Sequence, residues 1–200
     1  MFTGIVETIG EIVSIEEQKS CRTFCIHPHK NFPALVSGES IAVNGVCLTV
    51  TNHDARHFFV TAVPETLRLT NLSELTSADL VNLERAMLAE TRIGGHYMQG
   101  HIDGVGKILE IKKEGDAALL VKISVPKQLN NYLIKKGFIG LDGMSITLVD
   151  VTQDWSVVTF IPYTIAHTIV KTYQVNDSVN IEVDMLAKYV EKLLGSRHGA

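Results

Sequence analysis

The chain is poor in the residues and patterns that mark several protein classes. Only three cysteines occur in its 200 residues, Cys21, Cys25 and Cys47, and three cannot close a disulfide framework. Cys21 and Cys25 stand four apart with His27 and His29 behind them, but no second ligand cluster of compatible spacing follows, so a metal site is not expected. Basic charge is also short: 18 Lys and Arg stand against 22 Asp and Glu, a net charge of −4. A nucleic-acid-binding face needs a surplus of cations to neutralise phosphates, so a nucleic-acid partner is not expected. No apolar run approaches the roughly 18 residues of a membrane span. The opening MFTGIVETIGEI carries acids early and has no basic stretch ahead of an apolar one, so it does not read as a signal peptide. A cytoplasmic protein without a membrane partner is the expectation. Hydrophobic residues at 46% and charged residues at 20% are ordinary for a globular chain and argue against disorder.

What the chain does contain is the same text twice. VNGVCLTV at 43–50 matches LDGMSITL at 141–148, an offset of 98. VPETLRLT at 63–70 meets IPYTIAHT at 161–168, and DLVNLERAMLA at 79–89 meets DSVNIEVDMLA at 177–187, both at that offset. Near the two beginnings, TGIVETIG at 3–10 meets QGHIDGVG at 99–106 at an offset of 96, a slip that a loop absorbs. The repeat is therefore about 97 residues long, above the roughly 20–50 of a solenoid and large enough to be a small domain.

Each copy reads as β-structure. Short runs rich in Val, Ile, Thr and Phe alternate with turn residues, and Asn-Gly in one copy and Asp-Gly in the other stand between apolar runs. Antiparallel strands closing into a small barrel fit that spacing. Thr66–Leu72 and Asn130–Lys135 read as short helices between strands. A longer amphipathic helix is expected only at the end, where Leu186, Val190, Leu193 and Leu194 fall on one face with Lys188, Glu191 and Lys192 opposite. It lies outside the repeat, and an isolated short helix is marginal, so it either covers a barrel of its own chain or, the favoured reading, packs against other copies.

The repeated blocks carry polar side chains in matching places. Period-two alternation puts Cys47 and Thr49 on one face of their strand, and Ser145 and Thr147 on one face of theirs. Thr is a good strand former and Cys a small hydrophobe, which would account for one such pair; two in matching places, each beside a Pro-x-Thr block, suggest a ligand at a barrel mouth. Pro64 and Pro162 each remove a ladder donor and let the chain turn, so that Glu65-Thr66 and Tyr163-Thr164 are free to face a ligand. The copies are armed differently: Cys47 stands opposite Ser145, Asn44 opposite Asp142, Ile5 opposite His101, Arg68 opposite Ala166 and Gly38 opposite Lys136. Asp142, His101 and Lys136 concentrate acid–base groups at the second pocket. Two similar pockets with different equipment suit two similar ligands in different chemical roles.

MFTGIVE, VNGVCLTV, ETLRLTNL, VNLERAM, GGHYMQGHIDGVG, KGFIGLDGMSIT and VNIEVDMLAKYVEKL, in that order from Met1 to about Leu194, resemble the riboflavin synthase family of the alpha-chain type. The resemblance implies an all-β fold of two tandem six-stranded antiparallel Greek-key barrels with a C-terminal helix. It divides the chain at residues 1–97, 98–186 and 187–200, the last segment serving trimerisation. It implies conversion of two molecules of 6,7-dimethyl-8-ribityllumazine into riboflavin and 5-amino-6-(D-ribitylamino)uracil, with no cofactor and no metal. It implies a homotrimer whose active sites form between the first barrel of one subunit and the second barrel of the next. Lumazine synthase is the candidate protein partner it adds.

By matching motif, Gly4, Ile5, Val6, Cys47, Leu48, Thr49, Thr61, Ala62, Val63, Pro64, Glu65 and Thr66 would line the first lumazine site. Gly100, His101, Ile102, Lys136, Ser145, Ile146, Thr147, Thr159, Phe160, Ile161, Pro162, Tyr163 and Thr164 would line the second. Cys47, His101, Asp142 and Ser145 are the expected polar groups nearest the reacting carbons. Departures from the family pattern gather at 161–171, with Tyr163 and the run Thr168-Ile169-Val170-Lys171. The alternative is a lumazine- or flavin-binding antenna protein of the same fold, which resembles the enzyme but lacks polar site residues in at least one barrel. A flavin-dependent oxidoreductase would need a nicotinamide-binding α/β domain, for which a β repeat of this length leaves no room.

Overall fold

The structure, a computed structural model, describes residues 1–30, 35–115 and 117–195. The first copy supplies β1 (Thr8–Gln18), β2 (Cys21–Pro28), β3 (Ser40–Val43), β4 (Val46–His53), β5 (Phe58–Ala62) and β6 (Leu80–Arg85), with the short helix α1 (Pro64–Leu69) between the last two. The second supplies β7 (Gly104–Glu114), β8 (Ala118–Ser124), β9 (Phe138–Leu141), β10 (Met144–Val151), β11 (Trp155–Phe160), α2 (Pro162–His167) and β12 (Ser178–Val183). Each set closes into an antiparallel barrel, in the order β1-β2-β5-β4-β3-β6 and the equivalent order β7-β8-β11-β10-β9-β12. Helix α3 (Met185–Gly195) follows, and residues 196–200 of the expected C-terminal segment lie outside the described residues.

The tight turns are where the sequence placed them. Asn44-Gly45 and Asp142-Gly143 each hold both residues at positive φ (45° and 77°, 43° and 82°), the geometry of the two-residue hairpin turn that matches strand twist. The expected helix at Thr66–Leu72 starts at Pro64, whose fixed φ suits the first helical position, and ends in a one-turn 3-10 segment at Asn71–Ser73. The one expected at Asn130–Lys135 is instead a 3-10 segment over Lys127–Tyr132. Lys136, at φ 68°, then turns the chain into β9, and the preceding residues extend to reach that turn.

Both barrels are filled. Ile26, Val50, Val60, Leu72, Val81 and Leu83 pack the first, and Ile108, Val121, Leu141, Leu148, Val158 and Ile181 the second, all fully buried. At about 1.5–3 kcal/mol per buried aliphatic side chain, these interiors hold the fold together and leave no room for a ring system.

The barrels meet about a pseudo-two-fold axis through the two hairpin turns. A methyl group on Gly45 would lie 2.6 Å from the Gly143 amide nitrogen, so only glycine allows the turns to touch. Asparagines tie the seam across. Asn82 of β6 donates to the Asp142 carbonyl (2.9 Å), and Asn180 of β12 donates to the Asn44 carbonyl (2.9 Å). Asn71 donates to the Asp142 carboxylate (3.0 Å) and receives a hydrogen bond from Asn180. Buried side-chain amides carry such a penalty when unpaired that this mutual satisfaction fixes one relative placement of the barrels.

Candidate active site

On β4, Leu48 and Val50 point inward, so Cys47 and Thr49 face out; on β10, Leu148 points inward, and Ser145 and Thr147 face out. Thr49 and Thr61 flank the paired Val50 and Val60 on the outer wall, as Thr147 and Thr159 flank the paired Leu148 and Val158. The polar repeats therefore lie on the outside wall of each barrel and not at a mouth, because the interior is already packed with side chains. Leu48, Ala62 and Phe160 are buried and support these walls from within. Val63, Pro64, Glu65 and Thr66 border the first wall, and Ile161, Pro162, Tyr163 and Thr164 the second, at the starts of α1 and α2.

Two straps complete the walls, and they cross. The Gly4 carbonyl accepts from the Ser145 amide (2.8 Å), and Val6 packs on the second barrel's core. The Gly100 carbonyl accepts from the Cys47 amide (2.9 Å), and Ile102 packs on the first barrel's core. The grouping expected from sequence is thus reversed: Gly4-Ile5-Val6 belongs with Ser145-Ile146-Thr147, and Gly100-His101-Ile102 with Cys47-Leu48-Thr49. The reason is steric. Gly4 (φ 75°) approaches so closely that an added methyl would sit 2.5 Å from Ser145 Cβ; at Gly100 (φ 76°) it would sit 2.6 Å from Cys47 Cβ. The straps pair with each other through Phe2 and Met98, whose amides and carbonyls exchange hydrogen bonds of 2.8 and 3.1 Å.

The two walls carry different side chains. The first has Cys47, the exposed His101 from its strap, and a Glu65–Arg68 ion pair on α1. The second has Ser145, whose Oγ lies 2.7 Å from His96 Nδ1, and the exposed Lys136 in the turn ahead of β9. On α2, Tyr163 stacks on His167 with ring centres 4.1 Å apart, in place of the ion pair. His96 is buried, stacks on Phe138 at 5.1 Å, and burial holds its imidazole below the usual histidine range. Neutral and bonded to Ser145, it orients that hydroxyl on the outer wall. Sequence reasoning passed over His96, because it stands ahead of the repeat and has no counterpart in the first copy.

Asp142 is not brought to either wall. It is 1% exposed at the seam, where its carboxylate accepts from the Asn180 amide (2.8 Å), Asn71 (3.0 Å) and the Tyr173 hydroxyl (2.7 Å). Burial pushes it up to about 7. The signal was in the sequence, since Asn44 fills the equivalent turn position without an ionisable group. No cluster of His, Cys, Asp and Glu arranged to hold a metal occurs among the described residues.

The lumazine binding domain family matches the chain twice, over residues 3–86 and 99–184. A riboflavin synthase of Schizosaccharomyces pombe is 42% identical to it, across 97% of this chain and 94% of that protein. The chain belongs to the riboflavin synthase family. The riboflavin synthase of Bacillus subtilis is 40% identical over 97% of this chain and 90% of its own, and that of Escherichia coli (strain K12) 38% over the whole chain and 96% of its own. Among solved structures, LumP complexed with riboflavin superposes with a TM-score of 0.83 over 92% of this chain and 99% of its own, at 26% identity. LumP complexed with 6,7-dimethyl-8-(1'-D-ribityl) lumazine gives 0.81 over the same shares. The duplicated barrel is thus common to riboflavin synthases and LumP, and in sequence the chain stands with the synthases.

Proposed function

We propose that the chain catalyses the dismutation of two molecules of 6,7-dimethyl-8-ribityllumazine to riboflavin and 5-amino-6-(D-ribitylamino)uracil, one lumazine on each outer wall. The observation that carries the reading is the pair of walls built to one plan but armed differently, which suits one substrate taken in two chemical roles. The two lumazines together contain all the atoms of the two products, so no further reactant is required. The methyl on C7 of one ring is acidic, because its carbanion delocalises into the pteridine, and a modest base suffices to form it. The other ring accepts that carbanion at C6 after a nucleophile adds at its own C7. Stacking two flat rings in register supplies up to about 7–11 kcal/mol of the barrier, and an acid–base group a further factor of about 10²–10⁴. Positioning thus lowers the barrier more than proton transfer does. Cys47 and His101 at the first wall and Ser145 at the second are the polar groups nearest the chemistry, Lys136 borders the second wall, and Asp142 acts as a seam residue.

A wall open on one side needs a second wall to face. Helix α3 leaves Leu186, Val190 and Leu194 exposed beside a groove of about 800 Å³ lined also by Ile134 and Phe138. That uncovered stripe supports assembly as a homotrimer through α3, each active site formed by the first wall of one subunit and the second wall of the next. Each site then consists of barrel walls plus a strap from the other half, so the division near residue 97 bounds the repeats and not the sites. No helix among the described residues is long and apolar enough to cross a membrane.

The deciding experiment is incubation of the purified protein with 6,7-dimethyl-8-ribityllumazine alone, following riboflavin by absorbance. Riboflavin reaching half the lumazine consumed supports the reading. Tight lumazine binding without turnover would establish the antenna alternative instead. Gel filtration with light scattering tests the trimer, and co-elution with lumazine synthase tests the expected protein partner.

A further inference from the structure

Each strap is gripped by a buried carboxylate on the last strand of a barrel. Glu84 of β6 accepts from the Thr3 amide (2.7 Å), the Thr3 hydroxyl (2.8 Å) and the Gly4 amide (3.1 Å). Glu182 of β12 accepts from the Gln99 amide (2.6 Å) and the Gly100 amide (3.0 Å). Both side chains are nearly withdrawn from solvent, and that burial raises both, Glu182 to about 7. Burying a carboxylate is costly, so these two positions call for an explanation beyond joining a strap to a strand.

The geometry supplies one. Successive amides of an extended chain point to opposite sides, and a neighbouring strand cannot take two in a row. The amides of Thr3 and Gly4 turn the same way, as do those of Gln99 and Gly100, and each pair forms a concavity that suits an anion. A bidentate carboxylate fills it. The positive φ of Gly4 and of Gly100 then sends the glycine carbonyl to the opposite barrel, Gly4 to the Ser145 amide and Gly100 to the Cys47 amide. Glutamate, glycine and outer-wall residue therefore form one linkage, and each linkage runs from one barrel to the other.

We propose that Glu84 and Glu182 are positioning residues that act across the seam: Glu182 of the second barrel sets the first barrel's wall at Cys47, and Glu84 of the first barrel sets the second barrel's wall at Ser145. The catalytic meaning of this linkage rests on the riboflavin synthase reading; the linkage itself does not. A carboxylate that only stabilised its own barrel would loosen that barrel, or the whole chain, when replaced. A positioning carboxylate loosens the far wall first.

The test uses the full chain and its Glu84→Gln and Glu182→Gln variants, with Glu84→Asp and Glu182→Asp as milder changes should either amide variant fail to fold. Glutamine keeps the length but presents an NH₂ to one of the two strap amides, whereas aspartate keeps the charge and withdraws it. Amide hydrogen exchange of Cys47 and Ser145 is read by NMR without ligand, and kcat and KM with lumazine. For the Glu182 variants the Cys47 amide is expected to exchange at least tenfold faster while Ser145 stays within twofold of wild type; for the Glu84 variants the reverse. Turnover should fall at least tenfold in kcat with the Gln variants and recover in part with Asp. Acceleration of both amides together, of only the amide in the altered barrel, or of neither overturns the proposal. So does normal kcat in a variant whose far-wall amide is freed. A wild-type chain that forms no riboflavin would defeat the functional reading but leave the exchange pattern to decide the linkage.

Discussion

Replacing Gly4 by alanine separates the close approach of a strap from the backbone strain that any residue other than glycine meets there. At φ 75° an alanine costs about 1–2 kcal/mol, partly offset by the roughly 0.4–1 kcal/mol gained through restricting the unfolded chain. The added methyl would also sit 2.5 Å from Ser145 Cβ, 2.7 Å from Met98 Sδ and 2.8 Å from the Ser145 amide nitrogen. None of these atoms is the free end of an exposed side chain, so the strap must move out and the 2.8 Å bond from the Ser145 amide to the Gly4 carbonyl is lost. A partly buried donor left unpaired costs about 1–3 kcal/mol more. Gly38 is the control: its φ is 97°, but nothing lies within 4 Å of an added methyl. Urea unfolding at one fixed protein concentration should therefore place Gly38→Ala within about 1 kcal/mol of wild type and Gly4→Ala lower by about 2–4 kcal/mol. Riboflavin formation should survive the first change and fall at least tenfold with the second. If the two variants match each other in stability and turnover, the close approach at Ser145 is wrong.

Asp142→Asn should preserve riboflavin formation within about threefold, since an amide can keep the Asn180 and Asn71 hydrogen bonds; a collapse of kcat in a folded variant would return Asp142 to the chemistry. The same variant carries a pH signature. The folded carboxyl, at about 7 against an ordinary 3.8, holds its proton more tightly than the unfolded one, so its stabilisation is complete below pH 4 and is lost as the pH rises to 7, by at most about 1.4 kcal/mol per unit. The variant should therefore gain on wild type between pH 5 and pH 8 in urea unfolding, and parallel profiles would refute the assignment. Ser145→Ala and His96→Asn, combined in a double-mutant cycle on kcat, should couple by about 1 kcal/mol, whereas strict additivity would separate the imidazole from the hydroxyl. Val190→Asp should convert the assembly to monomers in light scattering and abolish turnover while lumazine still quenches or shifts in titration. Full activity from a monomer would exclude a shared site.

The fold was legible because duplication wrote its evidence twice. VNGVCLTV and LDGMSITL state a strand, a two-residue turn and a polar outer row, and the alternation of Leu48 with Cys47 and Thr49 already separates core from wall. What local pattern could not convey was long-range placement. Gly4-Ile5-Val6 reads as part of the copy it precedes, and only the packed structure reveals that its carbonyl and its valine serve the other barrel. Asp142 was misleading because a carboxylate in a turn looks the same on paper whether it faces substrate or a neighbouring barrel. Its counterpart Asn44, a residue with no proton to give, was the clue. His96 left no trace in the repeat at all, and its bond to Ser145 depends on a fold-back of the segment between the barrels.

The crossed straps also govern when the chain can be finished. A protein made from its amino end usually completes its leading domain first. Here the first barrel waits for Gly100 before the Cys47 amide has its acceptor, and that residue leaves the ribosome well after β6. The Gly4 carbonyl waits longer still. Gly4 is among the first to be made, and Glu84 can take its amide once β6 is complete, yet its carbonyl has no donor until the Ser145 amide of β10 has been synthesised. A nascent chain stalled between the barrels would therefore present a closed β-structure whose opening residues Glu84 already holds, with the Cys47 amide and the Gly4 carbonyl both unclaimed until the second half is released.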